Sequence, residues 1–268
     1  AVDQQASVTQ PIISIQGVSK SFGGIRAVEG CTFDVPEGSI TGLIGPNGAG
    51  KTTLFTIITG FTKPDAGRVV LAGEDVTGRK PHELFHRGLV RTFQIPHEFH
   101  KLTTLENLMT VPSGQDGENL FKAWFAPTAV ARREAEVRTL AEDTLHFLGL
   151  DAVRDVHAGN LSGGQKKLLE LGRAMMSGAN TILLDEPGAG VNPTLLGQLA
   201  EKIQVLNRDR GITFCIVEHN MDMIAKLCDP IIVMAMGSVL TIGTMEEIRK
   251  DSRVLEAYLG SGTQETGA

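Results

Sequence analysis

Residues 45–52 read GPNGAGKT, and each residue type in that run serves one kind of chemistry. Glycines at this density let backbone N–H groups turn inward around a phosphate chain. Lys51 supplies a point charge to the outer phosphates, and the Thr52 hydroxyl is a hard oxygen ligand for Mg²⁺. The run fits G-x-x-x-x-G-K-[ST]. It follows the strand-like stretch SITGLIG and opens the helix-like KTTLFTIIT, the context that this nucleotide-binding spacing requires. Gly45, Pro46, Asn47, Gly48, Ala49, Gly50, Lys51, Thr52 and Thr53 are the candidate nucleotide-binding residues.

Two further stretches carry complementary chemistry. TILLDEP places Asp185 and Glu186 at the end of an apolar run, where ligands gather in open α/β sheets. Asp185 is assigned to a magnesium shell and Glu186 to the attacking water, against the alternative of a capped strand end followed by a Pro187 turn. The stretch NLSGGQKKLLELG begins a helix with Ser162 and Gln165 at capping-box spacing. A cap leaves Gly163, Gly164, Lys166 and Lys167 unexplained, whereas a bare, glycine-lined helix start suits an anion. Gln94, His219 and Phe22 are individually weak: a loop glutamine, a histidine after a buried strand and a phenylalanine able to stack on a purine.

The elements that must position these residues follow from periodicity. IISIQGVSKSFGG and CTFDVPEGS read as antiparallel strands, and GRVVLAGEDV as a further hairpin strand. From about 96 to 160 strand-like alternation is absent. Thr103 and Glu106 make a capping box, and Val137, Leu140, Ala141, Thr144, Leu145 and Leu148 form one helical stripe ending at Gly149. Beyond residue 160 strands alternate with helices, which predicts an α/β fold with a mostly parallel sheet. A chain of 268 residues that is 41% hydrophobic buries a real core. Its net charge of −6 gives no footprint for nucleic acid. Cys31, Cys215 and Cys228 lack C-x-x-C spacing and read as buried reduced thiols. Neither a signal peptide nor a membrane span is expected.

In their order these motifs resemble, over nearly the whole chain, the ATP-binding subunits of ABC transporters. GPNGAGKT matches the Walker A motif, Gln94 the Q-loop, LSGGQ the signature, ILLDEP the Walker B motif and His219 the H-loop. The resemblance implies a single ATP-binding domain over 11–262, with short tails at 1–10 and 263–268. Within it lie a P-loop NTPase core, an antiparallel β edge subdomain and a helical subdomain inserted at about 96–160. It implies ATP and Mg²⁺ as cofactors, Phe22 stacking on adenine, Gln94 contacting Mg²⁺, Glu186 as catalytic base and His219 on the γ-phosphate. It also implies a head-to-tail dimer in which Ser162, Gly163, Gly164 and Gln165 cap the nucleotide held by the other subunit. The sequence departs from the family at GAGVNP, where Asn192 stands at a position that is acidic in many relatives.

The opening SIQGVSKSFGGIRAVEG and the ending GSVLTIGTMEEIRKDSRVLEAYLG look most like branched-chain amino acid importers. Lipopolysaccharide-export ATPases and urea or amide importers are the alternatives within transport, and a non-transport ABC ATPase switch is the alternative outside it. The partners implied are a second ABC ATP-binding subunit, homologous or identical, integral membrane permease subunits and, indirectly, a substrate-binding protein. The chain is then peripheral, on the cytoplasmic face of the inner membrane. Permease contact is expected after Gln94, at Phe99 and Leu102. Leu120, Phe121, Trp124 and Phe125 either extend that contact or pack inside the helical subdomain.

Overall fold

The computed structural model of the protein describes residues 11–92, 99–112 and 127–260. Pro11–Phe22 (β1) and Ile25–Pro36 (β2) pair antiparallel across a Gly23-Gly24 turn. Ile40–Ile44 (β3) leaves that hairpin for a second sheet and ends in the glycine loop that starts Lys51–Ile58 (α1). Ala66–Leu71 (β4) and Glu74–Asp75 (β5) return to the first sheet, giving the antiparallel order β2-β1-β4-β5.

The second sheet is the frame of the molecule. Pro81–Phe85 (α2) precedes Leu89–Arg91 (β6), and Thr181–Asp185 (β7), Thr213–Val217 (β8), Ile231–Ala235 (β9) and Ser238–Gly243 (β10) complete the order β10-β9-β3-β8-β7-β6. Strands β9, β3, β8, β7 and β6 run parallel, and β10 closes one edge as an antiparallel hairpin strand. Every residue of β3, β7 and β8 is buried, as a parallel sheet covered on both faces demands.

Strand alternation divides the core in two. Leu43, Leu183, Cys215, Val217, Ile232 and Met234 face a cluster shared with α1 and the antiparallel sheet. Ile44, Ile182, Leu184, Phe214, Ile216 and Val233 face the opposite cluster. There lie Thr104–Met109 (α3), Pro127–Leu148 (α4), Gly163–Met176 (α5), Pro193–Arg210 (α6) and Met221–Leu227 (α7). Met245–Lys250 (α8) and Ser252–Gly260 (α9) end the described chain.

The Thr103 and Glu106 capping box forms as expected, with Glu106 N donating to Thr103 Oγ1 at 3.2 Å and Thr103 N to Glu106 Oε2 at 2.7 Å. On α4, Val137, Ala141, Thr144, Leu145 and Leu148 are buried, but Leu140 is 46% exposed. At 100° per residue Leu140 lies about 85° from the centre of that stripe, beyond the edge of the contact with α5. Helix α2 and strand β6 are too short to show a period of their own and are not legible in the sequence. All three cysteines are free and buried. Among the described residues no helix is long and apolar enough to cross a membrane.

Candidate functional site

Because β3, β8 and β7 are parallel neighbours, their C-terminal ends share one rim of the sheet. From that rim emerge the loop 45–50, His219 and the Asp185-Glu186 pair, residues far apart in the chain.

The loop is shaped by two glycines that nothing larger can replace. A Cβ on Gly45 (φ +153°) would lie 2.2 Å from the Met234 carbonyl oxygen, and one on Gly50 (φ +97°) 2.3 Å from that of Ala27. Gly50 is the N-cap of α1 and has no side chain to occupy the amides of the first turn, which stay available to an anion. Lys51 is buried, and its Nζ donates to the carbonyls of Gly45 at 2.7 Å and Pro46 at 3.0 Å. Burial draws its pKa below the usual lysine range, while the fields of Glu186 and Asp185 push it back up. Asn47, Gly48 and Thr52 are exposed, Ala49 is buried, and Pro46 and Thr53 are partly buried.

Asp185 ends β7 as a buried carboxylate, paired through Oδ2 with Arg91 of β6 at 2.6 Å. Sequence reasoning missed Arg91, whose one signal is a cation inside the apolar run LVR. Glu186 follows in the left-handed region (φ +48°), a strained conformation for a residue with a Cβ. Its amide donates to Val217 O at 2.9 Å, and its Oε1 lies 3.1 Å from His219 Nε2. The base and the histidine read from the sequence are therefore in contact. Thr52 and Asp185 suit Mg²⁺, which keeps most of its shell as water and phosphate oxygens and needs only one or two protein ligands.

At the start of α5, Gln165 N donates to Ser162 Oγ at 3.3 Å and Ser162 N to Gln165 Oε1 at 2.9 Å, completing the capping box. Ser162 and Gly163 are exposed, and Gln165 is partly buried. Gly164 is buried, and a Cβ there would meet Leu195 Cδ1 at 2.4 Å. Lys167 is turned inward and pairs with Glu170 at 3.7 Å, away from the exposed turn. Asn192 caps α6, its Oδ1 accepting from Leu195 N at 3.0 Å.

Phe22 stands at the tip of the β1–β2 hairpin, 49% exposed, with Lys20 Nζ 5.4 Å from its ring centroid. Gln94, Leu120, Phe121, Trp124 and Phe125 lie outside the described residues. A cavity of about 270 Å³ opens between α1, α2, β6 and α5, lined by Phe61, Leu84, Val90, Arg91, Val111 and Arg173 among others. Phe61 and the nearby Phe99 are both more than half exposed, and the Arg173 guanidinium sits 5.2 Å from the Phe99 ring.

Comparison with known proteins identifies the family. The ABC transporter family model matches residues 28–189, and the model for branched-chain amino acid ATP-binding cassette transporters matches 238–263. The chain is 44% identical to the probable branched-chain amino acid transport ATP-binding protein LivG of Archaeoglobus fulgidus, over 95% of this chain and 97% of that protein. It is 36% identical to the high-affinity branched-chain amino acid transport ATP-binding protein BraF of Pseudomonas aeruginosa, over 94% of this chain and 99% of that protein. The crystal structure of the ADP conformation of an ABC transporter ATP-binding cassette, 38% identical, superposes with a TM-score of 0.77 over 94% of this chain and all of that one. The chain belongs to the ABC transporter family of ATP-binding proteins.

Proposed function

We propose that this chain is the ATP-hydrolysing subunit of an ABC importer for branched-chain amino acids. The contact between Glu186 and His219, on the rim that carries the phosphate loop, is the observation on which the hydrolytic reading rests. In this reading Lys51 and the amides of residues 45–52 hold the phosphates, and Phe22 offers a ring face to adenine. Glu186 accepts a proton from the attacking water, and His219 orients Glu186 and the γ-phosphate. Thr52 and Asp185 would hold Mg²⁺, with Gln94 in its shell; when bound, the ion neutralises charge on the β- and γ-phosphates.

Of the three transport classes left open by the sequence, the match over 238–263 and the names of both relatives favour branched-chain amino acids. The substrate itself is read by a separate binding protein and by the permease. The exposed Ser162 and Gly163 face a second ATP-binding subunit and complete its nucleotide site. Helix α3 and the cavity flanked by Phe61 and Phe99 receive the cytoplasmic side of the permease, which keeps the chain peripheral on the inner membrane.

The test is Glu186→Gln. Turnover should fall by about 10²- to 10⁴-fold while ATP affinity is retained. Unchanged turnover would remove Glu186 as the base. Purification from membranes should recover the permease subunits of an amino-acid importer, and charge at Phe99 or Leu102 should uncouple transport without weakening ATP binding. Full transport by those variants would refute the docking assignment.

A further inference from the structure

Glu218 has no place in the roles above, yet it is among the most tightly held side chains on the rim. It directly follows β8 and is 4% exposed. Its Oε1 accepts from Gly188 N at 2.6 Å, and its Oε2 from His219 N at 2.7 Å and Asn220 N at 3.0 Å. Backbone amides aimed at a carboxylate make charge-assisted bonds, stronger than neutral ones, and here they balance the cost of burying the charge. Two of these donors belong to the loop that carries His219. The third belongs to the loop that carries Glu186, two residues after it. One carboxylate thus bridges the two loops whose side chains meet at Glu186 Oε1 and His219 Nε2.

The bridge sits where it has something to restrain. Asp185 and Val217 are register partners on neighbouring parallel strands, so Glu186 and Glu218 leave the sheet side by side. Glu186 is held at φ +48°, a conformation that persists only when its surroundings over-determine it. Its amide is fixed to Val217 O at 2.9 Å, and Glu218 fixes the loop just beyond it. Gly188 leaves no slack, since a Cβ there would lie 2.5 Å from Glu218 Oε1 and 2.9 Å from Leu196 Cδ1.

We propose that Glu218 is a positioning residue for hydrolysis, a clamp between the loops 186–192 and 218–220 that sets the placement of Glu186 against His219. The inference rests on Glu186 being the base. The Glu218 carboxylate is engaged by the amides of Gly188, His219 and Asn220, and it acts through the pair it holds. Misplacing a reacting group by about 1 Å costs up to about 10²-fold in rate, so the clamp acts on turnover rather than on ATP affinity.

Glu218→Asp and Glu218→Gln separate the possibilities in the full-length protein. Aspartate keeps the charge but is one methylene too short to reach both loops. Glutamine keeps the reach but points an N–H at one set of N–H donors. Both should lower kcat by about ten- to a hundredfold. The KM for ATP and the ATP dissociation constant from equilibrium titration should stay close to the parent values, while the melting temperature falls by only a few degrees, the cost of a buried donor left unpaired. In a Glu186→Gln background neither should lower the residual rate further, because residues acting as one unit are non-additive. Full kcat in either variant overturns the proposal. So does a parallel loss of affinity, melting temperature and kcat, or an undiminished further loss in the Glu186→Gln background. Failure of both variants to fold makes Glu218 a folding residue and equally overturns it. Undiminished turnover in Glu186→Gln alone defeats the proposed base, whereas an inactive Glu186→Gln beside fully active Glu218 variants defeats only the clamp.

Discussion

The glycine-rich starts of α1 and α5 are built on opposite principles. At α1 the glycines are compelled by the chain's own backbone: Gly45 and Gly50 pass so close to the carbonyls of Met234 and Ala27 that no side chain fits. No side chain caps that helix, and Lys51 lies buried along the loop. At α5 the reciprocal bonds of Ser162 and Gln165 make a complete cap, Gly164 is filled by Leu195, and Lys167 points inward to Glu170. The first start leaves backbone donors open to a ligand. The second satisfies itself and leaves Ser162 and Gly163 exposed.

The largest effect should come from Gly45→Ala. The added methyl collides with a backbone oxygen at a positive φ, so destabilisation of about 3 kcal/mol or more is expected, with ATP binding lost in calorimetric titration. A variant that binds ATP normally would mean that the loop is not the cradle. Next is Ser162→Arg, which removes a cap worth about 1 kcal/mol and puts bulk on the exposed turn. Hydrolysis should fall about a hundredfold while affinity at the chain's own loop changes by less than about threefold. If affinity and hydrolysis fall together, the two helix starts do not differ in function.

What is legible in the sequence depends on range. The glycine loop, the carboxylate pair and the capping boxes at Thr103 and Ser162 are local patterns, and the parallel sheet follows from strand–helix alternation. The positioning of the site is non-local. Arg91 reaches Asp185 only because β6, three residues long, joins the edge of the sheet beside β7. Glu218 matters because β7 and β8 are neighbours, which the chain order does not state. Leu140 belongs to the helical period and still faces solvent, since the period says which residues share a side and not how wide the partner is. Gly164 reads as an opening for phosphate, and its tight neighbour Leu195 lies on another helix.

Lys51 gives the comparison a pH signature. Its pKa in the free protein is lowered by burial, and a phosphate anion placed against it favours the charged form. ATP affinity should therefore weaken as pH rises through that lowered pKa, because binding must then take up the missing proton. Titrations at rising alkaline pH should show a several-fold loss that Lys51→Arg abolishes, since guanidinium stays protonated. The same slope in the arginine variant would place the titrating group elsewhere.

The smallest and most discriminating effects separate the two adjacent glycines of α5. Gly163 is exposed, and a Cβ there would meet only the Gly190 carbonyl oxygen, at 3.5 Å, so Gly163→Ala should raise stability by about half a kcal/mol through helix propensity. Gly164→Ala must displace Leu195 and should cost about 1–3 kcal/mol. If residue 163 lets its amide approach a phosphate on another subunit, Gly163→Ala will melt higher and yet hydrolyse ATP several-fold more slowly. Gly164→Ala will melt lower, with its hydrolysis loss following its stability. A Gly163→Ala protein that is both more stable and fully active would leave the exposed turn without a ligand, and the second helix start would be a cap alone.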